Sequence, residues 1–439
     1  MSAAPVIDTM SDTERAPVPA AQRNVIVFGL VLATLVAALN QTSIVVVLPV
    51  IVAELEGLDT YPWVFTAAML TATVTAPIVG RLSDMHGRRP YYLGGFLIFL
   101  GSTVVCGLAN SMATLIGARA IQGIGMGVLI TLALAVVGDI IPARSRARLQ
   151  GMLAVVFGLA TVLGPVGGGW LAGAYGWRSI FFVNIPLGAV AFITVWATLK
   201  IPTKRQPHAV DWTGAFLFTC ATACALVALT WGGIEYPWSS PRVVGLLIAS
   251  AVLGAAFVAF ERRVPEPLIP LDLLYRGTFA RTCLVALLSG AVLFVPVLFV
   301  PIHVQGVLGI EVDYAGIVLV PFVLGFALTG GLSGFVLGHS GSARALVAGG
   351  ALVGTVGLIL LARLTPESGL QDIHVGLAIV GAGLGAIVPT VFNVAQNVLP
   401  PQQMGVGTAI EHFLRSFGGT VGVAIMGALV NNTLLDNLL

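Results

Sequence analysis

A short charged stretch, residues 80–90, separates two long apolar runs and leaves few residues in which the chain can turn. It carries Arg81, Asp84, Arg88 and Arg89, and such side chains each cost about 2.5–3.5 kcal/mol at the centre of a bilayer. The stretch is therefore predicted to lie at a membrane surface, between two helices that cross the bilayer. Short loops rich in arginine and lysine remain in the cytoplasm, so this surface is predicted to be the cytoplasmic one.

The composition agrees with a chain that crosses a membrane many times. Hydrophobic residues make up 57% of the sequence and charged residues 9%, whereas about 25% of the residues of an ordinary soluble domain are charged. The formal net charge of +2 gives no reason to expect nucleic acid as a partner. All of the cysteines lie inside apolar runs, so we expect free thiols and no disulfides.

The apolar runs predict about thirteen spans, each close to the roughly 20 residues that cross a bilayer. They lie near residues 24–53, 62–82, 91–109, 112–140, 150–173, 180–199, 212–232, 243–260, 282–303, 314–337, 344–364, 374–399 and 405–430. Residues 1–23 are polar, contain prolines and lack the apolar core of a signal peptide, so they are predicted to be a disordered cytoplasmic tail. Basic residues concentrate in alternate loops, which places the amino terminus in the cytoplasm and the carboxyl terminus outside.

Two motifs resemble one family of membrane proteins. The spacing G-x-L-x-D-x-x-G-R-R in residues 80–89 resembles the loop between the second and third helices of major facilitator superfamily transporters. The pattern W-R-x-x-F-x-x-N-x-P at residues 177–186 resembles the fourteen-span drug:proton antiporter branch. The resemblance covers about residues 24–430 and implies an all-α polytopic membrane protein with two bundles of six helices and two inserted helices. Transporters of this fold have an even number of spans, so the odd number implies either that the second bundle lacks its last helix or that one span is miscounted.

On that fold the chain divides into four parts, which are the tail 1–23, a first six-helix bundle at 24–200, a linker with two extra helices at 201–281 and a second bundle at 282–439. The sequence has no G-x-x-x-x-G-K loop, so an ATP-driven pump is not expected. We expect a transporter and not an enzyme, with protons as the coupling ion, no other cofactor and no metal site.

The fourth span contains Arg119 and Gln122 in the sequence R-A-I-Q-G. A charged side chain within a span is a functional hypothesis by default. The alternative is a structural arginine that pairs with a loop acid or extends to a membrane surface. The R-x-x-Q-G pattern resembles the motif of the family that is implicated in proton transfer.

In the charged loop, Asp84 is predicted to accept hydrogen bonds from backbone N–H groups or to pair with an arginine. We assign Asp84 to gating together with Arg88.

The first span carries Asn40 where the fourteen-span branch has an aspartate in the pattern L-D-x-T. An aspartate in a partly wet cavity exchanges protons, whereas an asparagine resembles a permanently protonated acid. The alternative is that Asn40 is simply a polar residue facing the cavity. In the last span lie Glu411, His412 and Arg415. Glu411 and Arg415 are spaced i, i+4, which predicts a local ion pair. The alternatives are that this group is a second titratable site or that it anchors loop 80–90.

The fifth span contains Gly164, Pro165 and Gly168, which predict a bend and the close approach of a partner helix. The pattern resembles G-x-x-x-G-P-x-x-G-G, a motif of exporting antiporters, and implies export.

Large apolar cavities with a few polar groups suit amphipathic or lipid-like ligands. A central cavity is predicted to be lined by Gln41, Phe65, Met69, Phe157, Asn393, Gln396 and Asn397.

Taken together, the motifs imply a proton-coupled exporter of hydrophobic or cationic drugs that works by alternating access in the bacterial inner membrane. Two alternatives stay open. One is an exporter of lipids or lipid-like metabolites on the same scaffold. The other is a non-transporting membrane sensor or an inactive transporter homologue, which Asn40 and the missing last helix favour. We expect a monomer that binds its small substrate and membrane lipids, and no nucleic acid.

Overall fold

The computed structural model of this chain describes residues 19–56, 60, 62–141, 143–199, 211–233, 235–265, 267–275, 277–306, 308, 317–340, 342–365, 368–400 and 403–438. Its helices are α1 (Ala20–Leu55), α2 (Pro62–His86), α3 (Arg88–Gly107), α4 (Met112–Ile140), α5 (Ala143–Tyr175), α6 (Ser179–Phe182), α7 (Asn184–Thr198), α8 (Trp212–Trp231), α9 (Pro241–Glu261), α10 (Leu271–Tyr275), α11 (Gly277–Gly306), α12 (Val320–Ser340), α13 (Ala343–Ala362), α14 (Leu370–Asn397) and α15 (Met404–Leu438).

Within the described residues, 12 helical segments are long and apolar enough to cross a membrane. They account for every predicted span except the fifth, where α5 runs through 33 residues, about 50 Å at 1.5 Å per residue. The predicted sixth span is interrupted at Val183 and still forms one segment, Ser179–Thr198. Helix α1 begins at Ala20 and not at residue 24, because Ala-Ala-Gln-Arg are strong helix formers. The predicted all-α membrane fold is confirmed.

Helices α1 to α7 form a first bundle with α4 near its centre. Helix α4 packs on α2 and α3, and α1 packs on α5 and α7. A Cβ at Gly123 would overlap the Ala68 carbonyl oxygen, and one at Gly125 would lie 2.7 Å from the Phe99 backbone nitrogen. Lipid provides no hydrophobic driving force between helices, so small residues that allow such close packing hold the bundle together.

Helices α11 to α15 form a second bundle in which α14 packs on α12 and α13, while α11 packs on α15. Glycine again allows the approach. A Cβ at Gly383 of α14 would lie 2.6 Å from the Gly350 carbonyl oxygen of α13. The two bundles meet along two lines, one between α2 and α15 and the other between α5 and α12.

The inserted helices α8 and α9 pack on each other, and α8 also contacts both bundles. The centroid of the Phe218 ring lies 5.0 Å from that of Phe413 on α15. The centroid of the Trp231 ring lies 5.9 Å from that of Trp63 on α2. Helix α8 therefore lies across the line along which α2 and α15 meet.

The outer surface of the protein is strongly apolar. Trp170, Leu328, Phe335 and Leu352 come from three different helices and are each more than half exposed. Soluble monomers rarely expose contiguous apolar surface of this extent. This surface suits contact with the hydrocarbon of a bilayer.

Candidate functional site

Arg119 lies at the centre of the first bundle with no exposure to solvent. Its Nη1 donates to Asn40 Oδ1 on α1 at 2.7 Å and to Gln122 Oε1 at 2.5 Å. Its Nε donates to the Val64 carbonyl oxygen at 3.0 Å. Arg119 and Gln122 lie one turn apart on α4, so their side chains share a face. The structure thus brings together the three polar residues that the sequence singled out in the first and fourth spans.

Among the described residues, no carboxylate lies within ion-pair distance of Arg119. Gln122 Nε2 donates to Thr103 Oγ1 at 2.6 Å, and the Cys106 thiol donates to Gln122 Oε1 at 3.8 Å. Arg119 Nη2 is buried and has no hydrogen-bond partner in the described part of the chain. Pairing of Arg119 with a loop acid is therefore not observed. Cys106, like the other cysteines, is a free thiol, as predicted.

The segment of α5 that contains Gly164, Pro165 and Gly168 contacts α1 at Thr42 and Ser43. A Cβ at Gly168 would lie 2.9 Å from Ser43 Cβ, and one at Gly164 would overlap the Thr42 hydroxyl. Pro165 lies inside α5, where it removes one backbone hydrogen bond. The predicted close approach of a partner helix is present, and the partner is α1.

Asp84, near the end of α2, joins the two bundles. Its Oδ1 accepts a hydrogen bond from the Gly405 backbone N–H at 3.0 Å, and its Oδ2 accepts one from the Val406 N–H at 2.7 Å. Both donors lie in the first turn of α15, where N–H groups lack helical partners and the helix dipole favours negative charge. Arg88 Nη1 pairs with Asp84 Oδ1 at 2.5 Å. Asp84 therefore makes both kinds of contact that its position predicted.

Arg88 extends this contact to α4. Its Nε pairs with Asp139 Oδ2 at 2.9 Å, and its Nη1 donates to Ser83 Oγ at 2.7 Å. The Arg88 side chain is 6% exposed and the Asp84 side chain 2%. Removing one partner of a buried charge leaves the other uncompensated, which typically costs about 3–5 kcal/mol. We call the end of the molecule that contains the turn between α2 and α3 the α2–α3 face. The charged group of Asp84, Arg88 and Asp139 therefore fixes the helix packing at this face.

Gln396 of α14 makes a further contact between the bundles. Its Nε2 donates to the Leu134 carbonyl oxygen of α4 at 3.2 Å and to Thr408 Oγ1 of α15 at 3.2 Å. One residue further along α14, Asn397 Nδ2 donates to Asn393 Oδ1 at 2.7 Å. Gln396 and Asn393 are buried, whereas Asn397 is exposed. The buried amide of Gln396 thus joins helices of the two bundles, in addition to the charged group at Asp84.

Glu411 and Arg415 form the local ion pair that their spacing predicts. Arg415 Nη2 donates to Glu411 Oε1, and the guanidinium carbon lies 5.0 Å from the centroid of the Phe392 ring on α14. Glu411 is fully buried, and its Oε2 has no hydrogen-bond partner among the described residues. His412 beside them is half-buried. Loop 80–90 is anchored by the first turn of α15 rather than by this pair.

An apolar cavity of ≈ 160 Å³ lies between the two bundles. Its aromatic members are Phe294, Phe322, Phe326 and Phe392, and its polar members are Thr34, His412, Arg415 and Ser416. Typical ligand sites measure about 300–1,000 Å³. The bundles must therefore move apart before a drug-sized molecule fits here.

The seven side chains predicted to line a central cavity are absent from the described wall of this one. Phe65 packs on a hydrophobic core of the first bundle. Gln41 and Met69 are half-buried. The side chain of Phe157 lies outside the described residues, and the three amides of α14 make the contacts given above. Their contact with a substrate stays a prediction.

The aromatic wall of the cavity was missed at the sequence level. Phe322 and Phe326 lie one turn apart on α12 and face the cavity together. That i, i+4 spacing was visible in the sequence, but aromatic pairs with the same spacing also occur on faces that contact lipid. Only the packing of α12 against α5 and α14 shows where these rings point.

At the end of the molecule opposite to the α2–α3 face, Trp177 and Arg178 connect the segment before α6 to α1. Trp177 Nε1 donates to Glu54 Oε2 at 2.7 Å, and Arg178 forms an ion pair with Glu54. Arg178 Nη2 also donates to the Ala109 carbonyl oxygen at 3.0 Å. The hydrogen bonds from Arg178 and Trp177 hold the pKa of Glu54 below its usual value. Arg178 therefore holds the segment before α6 to the end of α1 and to the turn between α3 and α4.

Known proteins resemble this chain in both sequence and fold. A family model described as Major Facilitator Superfamily matches residues 30–423. The multidrug transporter protein MdtP of Bacillus subtilis (strain 168) is 32% identical over 421 residues, which cover 95% of this chain and 78% of that protein. Multidrug resistance protein 3 of the same organism is 33% identical over 413 residues, which cover 94% of this chain and 80% of that protein. The crystal structure of the human organic anion transporter MFSD10 (TETRAN) matches with a TM-score of 0.70 at 17% identity, covering 93% of this chain and 94% of that one.

Proposed function

This chain belongs to the Major Facilitator Superfamily, and from that premise we propose that it exports hydrophobic or cationic compounds from the bacterial cytoplasm in exchange for protons. The observation that carries the proposal is the cavity between the bundles, where four phenylalanine rings surround a few polar groups. Aromatic faces bury apolar surface and attract cations. The two bacterial relatives, named for multidrug transport or resistance, support small molecules as the substrates.

Alternating access requires that the bundles close each face in turn. In the present arrangement the α2–α3 face is held by the Gly405 and Val406 N–H groups on Asp84. Opening that face removes these donors from a buried carboxylate, so substrate or proton binding must supply compensating free energy. We therefore assign Asp84 and Arg88 to gating.

Export rather than import is proposed from a motif in α5, the helix that packs on α1. Gly164 and Gly168, on either side of Pro165, bring α5 directly against Thr42 and Ser43. This tight contact couples the shape of α5 to the helix that carries Asn40. The segment also resembles the motif of exporting antiporters, which is the basis for the direction.

We place the α2–α3 face in the cytoplasm and the protein in the inner membrane. Arg81, Arg88 and Arg89 lie at this face, and short loops rich in arginine remain on the cytoplasmic side. The amino terminus then lies on the same side. Protons are the proposed coupling ion, and the cycle needs no other cofactor.

The test measures proton movement driven by substrate in proteoliposomes that contain a pH-sensitive dye. Tetraphenylphosphonium represents the lipophilic cations, and a lysolipid represents lipid-like substrates. We expect the cation to move protons in the opposite direction. Arg119→Ala, which removes the hydrogen bonds to Asn40, Gln122 and the Val64 carbonyl, should abolish the signal at equal expression. Cation flux without proton movement would contradict antiport, and a response to the lysolipid alone would indicate the lipid exporter.

One observation favours a second candidate, a non-transporting sensor or inactive transporter. The partner of Arg119 on α1 is the amide of Asn40, so the described residues of the first bundle offer no exchangeable carboxylate at this point. Such a protein would bind tetraphenylphosphonium in detergent and yet produce no proton-dependent flux in vesicles. Binding and flux measured on the same preparation therefore separate the two candidates.

A further inference from the structure

The polar centre of the first bundle cannot carry a coupling proton. Asn40 and Gln122 are amides, which neither gain nor lose protons near neutral pH, and the Arg119 guanidinium stays charged in proteins. Their hydrogen bonds hold Arg119 in place, and no carboxylate among the described residues pairs with it. If export is coupled to protons, as proposed above, the proton must bind somewhere else.

Glu411 has the geometry of a proton-binding group. It is fully buried on α15, and Arg415 occupies only one of its carboxylate oxygens. The second oxygen, Oε2, is buried without a hydrogen-bond partner among the described residues. A buried carboxylate oxygen with no donor can take up a proton without first losing an existing hydrogen bond. Glu411 lies on the same face of α15 as Gly418. A Cβ at Gly418 would lie 2.7 Å from the Leu287 carbonyl carbon, so this face of α15 packs on α11.

Arg415 connects Glu411 to the cavity. Its side chain is 11% exposed, whereas that of Glu411 is 0% exposed. Arg415 lines the cavity together with His412 and Ser416, one turn or less away on α15. While Glu411 is ionised, the pair is neutral overall. When a proton adds to Oε2, the carboxyl group becomes neutral and Arg415 keeps its charge, so the wall of the cavity gains one positive charge.

We infer that Glu411 is the proton-binding site of the transport cycle, and that Arg415 makes proton binding and cation binding exclude each other. The inference rests on the proposed function and specifies its coupling site. A cation binds between the aromatic rings while the Glu411–Arg415 pair is neutral. Protonation of Glu411 leaves Arg415 without its counter-charge, and the repulsion expels the cation from a weakly screened cavity. The proton and the substrate therefore compete without touching the same atoms.

Among the described residues no carboxylate lines the cavity, and Glu411 is joined to it through Arg415, which does. Asp84 and Asp139 bind Arg88, and Asp84 accepts hydrogen bonds from the first turn of α15, more than one turn before Glu411. The groups that face this part of α15 are the Cys283 thiol of α11, the Phe392 ring and Gln396 amide of α14, and the Phe218 ring of α8. His412, on α15 itself, is the other titratable group at the cavity wall.

The test compares a cationic and a neutral probe on purified protein in detergent. Affinity of the wild type for tetraphenylphosphonium should rise from about pH 6 to about pH 9, the range in which buried carboxyl groups titrate. Affinity for the neutral dye Nile red should stay constant. Glu411→Gln has the shape and charge of the protonated acid. It should bind tetraphenylphosphonium at least about tenfold more weakly at high pH, without pH dependence, because two like charges share the cavity.

A second variant separates charge from folding. Glu411→Gln combined with Arg415→Gln removes both charges, so tetraphenylphosphonium affinity should recover while remaining independent of pH. Unchanged Nile red affinity in each variant reports an intact cavity. The matched control is Glu54→Gln, which removes the carboxylate of the Arg178 pair far from the cavity. It should keep the pH dependence of the wild type.

Two results would overturn the inference and leave the proposed function standing. One is pH-dependent tetraphenylphosphonium binding that persists in Glu411→Gln. The other is an equal loss of both probes in that variant, which would indicate a purely structural role for the pair. A wild-type protein that moves tetraphenylphosphonium without moving protons, or does not move it, overturns the proposed function and the inference together.

Discussion

Asp84 and Gly405 are separated by 321 positions in the chain, yet the carboxylate of the first accepts a hydrogen bond of 3.0 Å from the backbone of the second. With Val406 on its other oxygen, Asp84 caps α15 from a different bundle. Caps normally come from the same helix and contribute about 1 kcal/mol. Here the cap is lost whenever the α2–α3 face opens, so it contributes to the free energy of opening.

Asp84→Asn should open the α2–α3 face more often. The amide lacks the charge that binds Arg88 and the first turn of α15, and a hydrogen bond to a charged group contributes about 1.5–3 kcal/mol. Cysteine introduced at Thr34 in the cavity wall, in a background without native cysteines, should react at least about fivefold faster with a water-soluble maleimide from that side. Asp372→Asn, which removes a carboxylate that accepts from Gly369 N–H at the start of α14, is the control. Equal labelling of the two variants would count against a gating role.

Asn40→Asp should stabilise the protein in detergent. The new carboxylate would lie where Asn40 Oδ1 now accepts from Arg119 Nη1 at 2.7 Å, and it would give the buried cation a charged partner. We expect the melting temperature to rise by a few degrees, which corresponds to about 1–3 kcal/mol. Asn40→Ala should lower it, because Arg119 loses a partner. A melting temperature of Asn40→Asp below that of the wild type would show that Arg119 needs no counter-charge.

Gly164→Ala should force α1 and α5 apart. The added methyl group would overlap the Thr42 hydroxyl and lie 3.1 Å from the Ser43 backbone nitrogen. Overpacking of this kind costs about 1–3 kcal/mol. Gly167→Ala is a closely matched control, because a Cβ there meets nothing within 4 Å. Thermal unfolding and vesicle transport should both suffer in the first variant and neither in the second; similar losses in both would exclude the contact with α1 as the cause.

Glu54→Gln should destabilise the protein slightly at neutral pH and not at all in acid. Hydrogen bonds from Arg178 and Trp177 lower the pKa of Glu54 from its ordinary value of 4.5. A carboxyl whose pKa falls on folding stabilises the fold above its unfolded pKa, and this contribution disappears as the pH falls through the lowered value. The pair is partly exposed, so the effect should stay below about 1 kcal/mol. Melting temperatures measured from pH 7 to well below pH 4 should converge with those of the wild type as the pH passes through the lowered pKa of Glu54; a gap that widens in acid would contradict this account.

The positions and order of the spans other than the fifth, and short-range pairs along one helix, could be predicted from the sequence. Long apolar runs identify spans because charged groups are costly in hydrocarbon. The spacing of Glu411 and Arg415 predicted their ion pair, and the spacing of Arg119 and Gln122 placed them on one face. Each of these arrangements depends on a single helix.

Partners between helices could not be predicted in the same way. Helices that contact lipid on one side and protein on the other are apolar all round, so their pattern does not show which face meets which neighbour. Gln396 illustrates the difficulty. The sequence predicts that it lines the cavity, whereas in the structure it donates to the Leu134 carbonyl oxygen of the other bundle. The partners of Asp84 are backbone N–H groups, which leave no mark in a sequence.

The position of α8 limits the routes by which a compound dissolved in the bilayer can enter the protein sideways. Phe218 and Trp231 hold α8 against α15 and α2, so this helix covers one of the two lines along which the bundles meet. Helices α5 and α12 meet along the other line. A hydrophobic molecule taken directly from lipid must then pass between α5 and α12. The depth at which α5 and α12 separate then selects one leaflet of the bilayer. Such a molecule enters the protein from that leaflet.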